Sequence, residues 1–265
     1  MSALIDVHCH LTGDEYDERG GASRVIEDAE KAGVKRLICS GFDLPSSQKA
    51  EELSKRFESV YFCAGFQPEE LGGCDSSALD GIKALLENPK CVAVGEIGLD
   101  YHFDDNPPKE RQKEIFIQQI LMADEAGLPI VVHSRAACAD TLKILTDYRD
   151  KIKRGGLMHC YSYSAESVRE FEKLGMYFSF GGTVTFKNAK KVKESAKAVA
   201  RDRILTETDS PYLTPEPLRG RFPNLPENVA HTTAYLAELL GEEKEKFEKT
   251  VLENAYRLFF KMKRN

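Results

Sequence analysis

The sequence predicts an α/β fold, a TIM (β/α)8 barrel in a single domain that spans residues 1–265. Eight short and nearly continuous apolar runs recur along the chain, as expected for parallel strands buried on both faces. The segments between the runs are long enough for a crossover helix. A doubly wound open sheet is the alternative, but no glycine-rich nucleotide-binding motif follows any run.

The predicted strands are the eight apolar runs themselves. In chain order they are residues 3–7, 36–40, 60–65, 91–95, 130–132, 156–158, 176–179 and 204–206. Several helices are predicted from helical spacing of apolar residues and from their flanking residues. They are residues 111–126, ended by Gly127 and Pro129; 165–174, between Ser164 and Gly175; and 228–240 and 243–261 after the last strand.

Composition limits the function classes. The net charge is −6, whereas a protein that coats nucleic acid non-specifically would be basic. Seven cysteines lack C-x-x-C spacing, which favours reduced thiols and a cytoplasmic location. No apolar segment reaches the length of a membrane span, so we expect neither a membrane anchor nor a signal peptide.

Chemically active side chains follow five of the predicted strands. His8 and His10 stand two residues apart after the first run and therefore point to the same side. The other groups are Glu96, His133, His159, Glu207 and Asp209, at the ends of the fourth, fifth, sixth and eighth runs. In a barrel these strand ends meet at one mouth, where the catalytic groups of this fold gather.

This set of imidazoles and carboxylates, without a thiolate, predicts a centre for Zn, Mn or a similar divalent ion, and it tolerates Mg. There are more ligands than one tetrahedral ion needs. Two ions bridged by Glu96 would use them all. The expected chemistry is metal-assisted hydrolysis.

The chain resembles the TatD family of metal-dependent deoxyribonucleases, within the amidohydrolase superfamily. The matching motifs are DVHCH (6–10), VGEIGLDY (94–101), LPIVVHSR (128–135), HCYS (159–162), TETDSPYL (206–213) and ENAYRLF (253–259). The resemblance implies metal ligands at His8, His10, Glu96, His133, His159 and Asp209. It also implies a DNA substrate, cleaved at phosphodiester bonds and often from a 3′ end.

We therefore predict a 3′–5′ exonuclease that uses a water activated by two divalent ions, Mg, Mn or Zn. His8, His10 and Asp209 would hold the first ion, and His133 and His159 the second. The catalytic residues would be Glu96, which bridges the ions, and Asp209, which also takes the proton of the water. DNA is the expected partner, with no obligate protein partner. A hydrolase of small-molecule C–N or C–O bonds is the alternative function.

Further residues are candidates for substrate contacts. They are Arg135, for a phosphate, and Tyr101, His102 and Tyr161, for hydrogen bonding or stacking. Tyr163, Phe186 and Tyr212 could stack on bases, or could simply fill loops. The lysine-rich residues 187–203 form either a basic track or a solvated helix face. Glu207 would orient a metal ligand from outside the ligand set.

The segment after the third strand departs from the family pattern. Where the family commonly has Gly-x-His-Pro-His, this chain reads GFQPEE, with Gln67 and Glu69 in place of the histidines. Two carboxylates, Glu69 and Glu70, would then add negative charge at the mouth and oppose a phosphate.

Overall fold

The computed structural model describes residues 4–264, and these residues form a nearly closed barrel of eight parallel strands in one sheet. Each strand pairs with the next one along the chain, in the order β1 to β8. The strands are β1 (Leu4–Cys9), β2 (Val34–Ser40), β3 (Val60–Ala64), β4 (Cys91–Asp100), β5 (Ile130–Arg135), β6 (Gly156–Met158), β7 (Met176–Phe180) and β8 (Ile204–Thr206). The predicted barrel is confirmed; Ala3, which begins the first predicted strand, lies outside the described residues.

Helices connect consecutive strands of the barrel. They are α1 (Gly21–Lys31), α2 (Leu44–Arg56), α3 (Ser76–Leu85), α4 (Lys109–Ala126), α5 (Cys138–Asp147), α6 (Ala165–Lys173) and α7 (Lys190–Ala198), with α8 (Val229–Leu239) and α9 (Lys244–Leu258) after β8. The predicted helices agree with α4, α6, α8 and α9 to within a few residues. Ser164 precedes α6 as predicted, but its side chain makes no capping hydrogen bond.

Hydrogen bonds that the buried side chain of Asp6 accepts join the first strand to the chain after the last strand. Asp6 accepts from the backbone N–H of Thr208 at 2.9 Å and from the Thr208 hydroxyl. The backbone N–H of Asp209 donates to the carbonyl of His8 at 3.0 Å, and that of His10 donates to the carbonyl of Ser210 at 2.7 Å. These bonds hold the loop after β8 beside the end of β1.

Strand β4 is longer than predicted, so Glu96 lies inside the strand and not at its end. The pairing with β5 shifts register between Val94 and Ile97, and such an irregularity re-aims the side chain at its centre. Gly98 has φ +143°, and a Cβ there would lie 1.9 Å from the carbonyl oxygen of His133. A glycine is therefore needed where β4 approaches β5.

The interior is apolar and well filled, with Phe62, Phe178 and Phe180 among its fully buried side chains. All seven cysteines are free thiols, and five of them are buried. No helix among residues 4–264 is both long and apolar enough to cross a membrane.

Candidate metal centre

Two imidazoles converge at the end of β1. The Nε2 atoms of His8 and His10 lie 3.2 Å apart. Ser40, the last residue of β2, holds both rings from behind. Its hydroxyl lies 3.1 Å from Nδ1 of His8, and its carbonyl accepts from Nδ1 of His10 at 3.0 Å. Because Nδ1 of His10 carries that proton, its Nε2 is free to present a lone pair.

Two carboxylate oxygens complete this first group. Oδ1 of Asp209 lies 3.7 Å from Nε2 of His8 and 3.5 Å from Nε2 of His10. Oε2 of Glu96 lies 3.4 Å and 3.6 Å from the same two atoms. Asp209 has φ +54°, in the left-handed region that non-glycine residues adopt rarely and often at functional sites.

The other oxygen of Glu96 faces a second group. Oε1 lies 2.9 Å from Nδ1 of His133 and 3.0 Å from Nε2 of His159. The two histidine nitrogens are 3.3 Å apart. Glu96 therefore stands between two sets of ligand atoms, one on each carboxylate oxygen.

Both groups fit a divalent cation. Bonds of about 2.1 Å in tetrahedral geometry separate neighbouring ligand atoms by about 3.4 Å, and the spacings above lie close to that value. Within each of the sets His8–His10–Asp209 and Glu96–His133–His159, all ligand atoms lie within 4.8 Å of one another. Oε2 of Glu96 is buried without a hydrogen-bond partner among the described residues, as expected for an atom that a cation would bind.

The electrostatics of the centre favour an ionised bridge. Burial alone would raise the pKa of Glu96, but the charge of His159 and hydrogen bonds with His133 and His159 hold it well below its usual range. Burial lowers the pKa of His8. For His133, burial would also lower the pKa, yet the hydrogen bonds with Asp100 and Glu96 raise it to about 9.

Asp100 is a contributor that sequence reasoning missed. Its Oδ2 accepts from Nε2 of His133 at 2.8 Å, so the ring turns Nδ1 towards Glu96. A carboxylate behind a ligating histidine selects the tautomer and increases ligand basicity. The available signal was the position of Asp100 four residues after Glu96 on the same strand.

Glu207 lies beside the centre, next to His159. Its Oε1 accepts from the backbone N–H of Cys160 at 2.6 Å, and its Oε2 accepts from the hydroxyl of Ser179 at 2.5 Å. The distance from Oε1 to Nδ1 of His159 is 3.7 Å, which is too long for a hydrogen bond. Glu207 thus holds the backbone that carries His159, rather than the ring itself.

The four predicted substrate contacts differ in their surroundings. Arg135 is exposed, forms no ion pair within residues 4–264, and places its guanidinium 4.8 Å from the ring centre of Phe103. The hydroxyl of Tyr101 donates a hydrogen bond to the carboxylate of Asp140 at 2.9 Å, while His102 is exposed. Tyr161 is only 3% exposed, so the expectation that it contacts a substrate is wrong.

The packing around Tyr161 explains that error. Its ring packs edge-on against Phe171 and Phe178, and its hydroxyl donates to the carbonyl of Ser164. The other aromatic candidates also differ. The hydroxyl of Tyr163 forms hydrogen bonds with the Ser134 hydroxyl and with the backbone N–H of Ala137. The guanidinium of Arg219 lies 3.9 Å from the ring centre of Phe186. Tyr212 is 52% exposed. Of these, Tyr212 keeps an open ring.

Three lysines of residues 187–203 are exposed on α7, namely Lys190, Lys191 and Lys197, and Lys187 is exposed just before that helix. Exposed lysines are expected both of a solvated helix face and of a basic track.

Glu69 stands half-buried at the mouth, in the segment that departs from the family pattern. Its side chain makes no hydrogen bond or ion pair with any described residue. Burial and the negative charges of Asp100 and Glu96 raise its pKa, while His133 and Arg135 act in the opposite direction. Glu69 is therefore an unpaired side chain on which the charges of the second ligand group act.

A cavity of about 460 Å³ opens beside the first ligand group, between the loops that follow β1 and β2. Its lining includes Phe42, which packs edge-on against His10 with ring centres 5.8 Å apart. The other lining residues are Thr12, Gly13, Asp14, Glu15, Asp43, Pro45, Ser46 and Lys49. The cavity provides room for part of a substrate next to the centre.

Comparison with known proteins identifies the family of this chain. A protein-family profile described as TatD related DNase matches residues 5–260. The chain is 43% identical to the uncharacterized metal-dependent hydrolase YabD of Bacillus subtilis, over 97% of this chain and 98% of that one. It is 30% identical to the 3′–5′ ssDNA/RNA exonuclease TatD of Cronobacter sakazakii, over 97% of this chain and 98% of that one.

Among solved structures, the crystal structure of a TatD homologue from Escherichia coli superposes with a TM-score of 0.90. It is 30% identical and covers 97% of this chain and 98% of its own. Profile, relatives and fold extend over nearly the whole sequence. The chain belongs to the TatD family of metal-dependent hydrolases.

Proposed function

We propose that this protein is an exonuclease that removes nucleotides from the 3′ end of single-stranded DNA with two divalent metal ions. The observation that carries the proposal is the double role of Glu96, whose two carboxylate oxygens each face a separate pair of imidazoles. Two-ion centres of this kind suit displacement at phosphorus. The relative named as a 3′–5′ ssDNA/RNA exonuclease supports the polarity and the single-stranded substrate.

The proposed ligands divide into two sets that share Glu96. His8, His10 and Asp209 would hold one ion, and His133 and His159 the other. Bound there, the ions would lower the pKa of water and offset the charge on the phosphate oxygens.

The chain itself supplies proton transfer and positioning. Asp209 is 14% exposed at its side chain and borders the mouth, so it can accept a proton from the attacking water. The hydrogen bond with His10 and the nearby imidazoles hold its pKa below the usual range although burial opposes this, which keeps the carboxylate ionised. Arg135 offers the exposed guanidinium that a phosphate requires.

The experiment that tests this function is time-resolved cleavage of 3′-labelled and 5′-labelled single-stranded DNA with Mg²⁺ or Mn²⁺. We expect stepwise shortening from the 3′ end, and loss of cleavage in Asp209→Ala. His231→Ala is the matched control, because His231 is exposed on α8. Absence of cleavage by protein shown to contain two ions would refute the assignment.

A second candidate is a hydrolase of small-molecule C–N or C–O bonds on the same scaffold. Glu69 favours it, because an unpaired carboxylate at the mouth suits a neutral or cationic substrate better than a phosphodiester. Cleavage of neutral ester and amide substrates by protein that leaves DNA intact would support this candidate.

A further inference from the structure

Two exposed aromatic rings stand on opposite sides of the metal centre. Phe103 follows β4 and is 45% exposed, and Tyr212 follows β8 and is 52% exposed. Strands β4 and β8 are four positions apart in the nearly closed barrel of eight strands, so they lie on opposite sides of it. Each ring lies three residues along the chain from a carboxylate of the centre, Asp100 or Asp209.

The loop that carries Phe103 is tied to the centre. Asp100, which contacts His133, accepts from the backbone N–H of His102 at 2.8 Å and from the side-chain amide of Asn106 at 3.2 Å. The guanidinium of Arg135 lies over the Phe103 ring, two residues beyond His133 on β5. The ring is therefore held in place relative to the second ligand group, with a cation beside it.

Tyr212 is tied to the first ligand group in a similar way. Its backbone N–H donates to the carbonyl of Asp209 at 2.9 Å. This bond holds Tyr212 next to Asp209, a proposed ligand of the first group.

We propose that Phe103 and Tyr212 stack on the bases of the two nucleotides that flank the scissile bond. This inference rests on the proposed function. Aromatic rings bind unpaired bases of any sequence, because every base has a π-face. Paired bases keep their faces inside the duplex, so the two rings select single-stranded ends. Arg135 contributes to binding of the nucleotide at Phe103 through its charge and through the contact of its guanidinium with the ring.

The experiment compares KM for single-stranded DNA with KM for the same strand with one abasic nucleotide on either side of the scissile bond. For intact DNA, Phe103→Ala and Tyr212→Ala should each raise KM between about five-fold and a hundred-fold. Each variant should lose sensitivity to an abasic nucleotide at one position only, and the two positions should differ. Phe103→Trp and Tyr212→Phe should preserve the wild-type KM.

Phe260→Ala is the matched control for Phe103→Ala. Phe260 is also 45% exposed, and the guanidinium of Arg154 also lies 4.8 Å from its ring centre. Arg154 precedes β6, at the end of the barrel opposite the mouth. We therefore expect this variant to keep the wild-type KM, and all variants to keep the wild-type unfolding temperature.

Two results would overturn the proposal. If the wild type cleaves DNA and abasic nucleotides raise KM equally in the wild type and in both variants, the rings do not bind bases. If the wild type holds two ions and cleaves no DNA, the proposed function fails, and the stacking inference fails with it. If the two variants lose sensitivity to an abasic nucleotide at two different positions of the DNA, the result supports both the proposed function and the stacking inference.

Discussion

The orientation of the His133 ring depends on Asp100, a residue outside the proposed ligand set. His133 presents Nδ1 to Glu96 because its Nε2 is bound by Asp100 at 2.8 Å. Asp100 is itself fully buried, and the backbone N–H of His102 and the amide of Asn106 also donate to it. A single carboxylate thereby connects the metal centre to the loop that carries Phe103.

The charge of Glu69 should weaken the binding of DNA. Glu69→Gln removes a negative charge that interacts with the charges of the second ligand group, so a phosphodiester should bind more tightly. We expect KM for single-stranded DNA to fall about three- to ten-fold, as the removal of a like charge near the bound phosphate implies. Steady-state kinetics at constant metal and low salt would measure the change.

Glu70→Gln is the control for this variant, because Glu70 is adjacent in sequence but exposed. Its KM should change less than that of Glu69→Gln. A rise in KM for Glu69→Gln would contradict the prediction and would indicate that Glu69 contacts the substrate directly.

At the scale of elements, the junction of β1 with the chain after β8 positions three proposed ligands. His8, His10 and Asp209 come from these two segments, and backbone hydrogen bonds join the segments at His8 and His10. The side chain of Asp6 also accepts hydrogen bonds from Thr208. The stability of this junction therefore affects the geometry of the first ligand group.

Thr208→Val should destabilise the fold by about 1–3 kcal/mol, because the buried side chain of Asp6 loses a hydroxyl donor and the backbone N–H of Ser210 loses an acceptor, while the side-chain volume is retained. Thr206→Val is the matched change on β8. The Thr206 hydroxyl makes a longer bond of 3.4 Å to the carbonyl of Ile5, so we expect a cost under about 1 kcal/mol. Urea unfolding of both metal-free variants would measure the difference, and equal costs would refute this role of Asp6.

At the scale of the whole molecule, the barrel brings side chains from five strands to one mouth. The proposed ligands span residues 8 to 209, so only the folded chain brings them together. A ligand that binds the native state alone stabilises it by mass action. Bound cations should therefore raise the unfolding temperature.

We expect Mn²⁺ or Zn²⁺ at about one hundred times Kd to raise the unfolding temperature by roughly 5–10 °C, from about 2.7 kcal/mol of stabilisation. A chelator should reverse the shift. His8→Ala should lose much of it, whereas His231→Ala should retain it. A shift of the same size in both variants would place the cations elsewhere.

Much of the fold and of the candidate site follows from local patterns. The eight apolar runs predict the eight strands, because parallel strands buried on both faces require apolar residues throughout. Histidines and carboxylates at strand ends predict a common site because barrel topology makes those ends converge. The grouping of His8 with His10, and of His133 with His159, follows from the same reasoning.

Other features depended on contacts between residues distant in sequence. The register shift in β4 places Glu96 inside the strand, and the roles of Asp100 and Ser40 arise only from neighbouring strands. Burial separated Tyr161, which packs in the core, from Tyr212 and Phe103, which stay exposed. An aromatic residue near a strand end has the same local pattern in either case, because exposure depends on how loops pack.

The sequence by itself determined the barrel, the family and the chemical type of the centre, since these depend on residue types and their order along the chain. The tertiary structure decided which oxygen of Glu96 faces which histidines, which carboxylate turns His133, and which rings remain open at the mouth. Those properties depend on distances and angles between separate strands, and the folded barrel alone defines them.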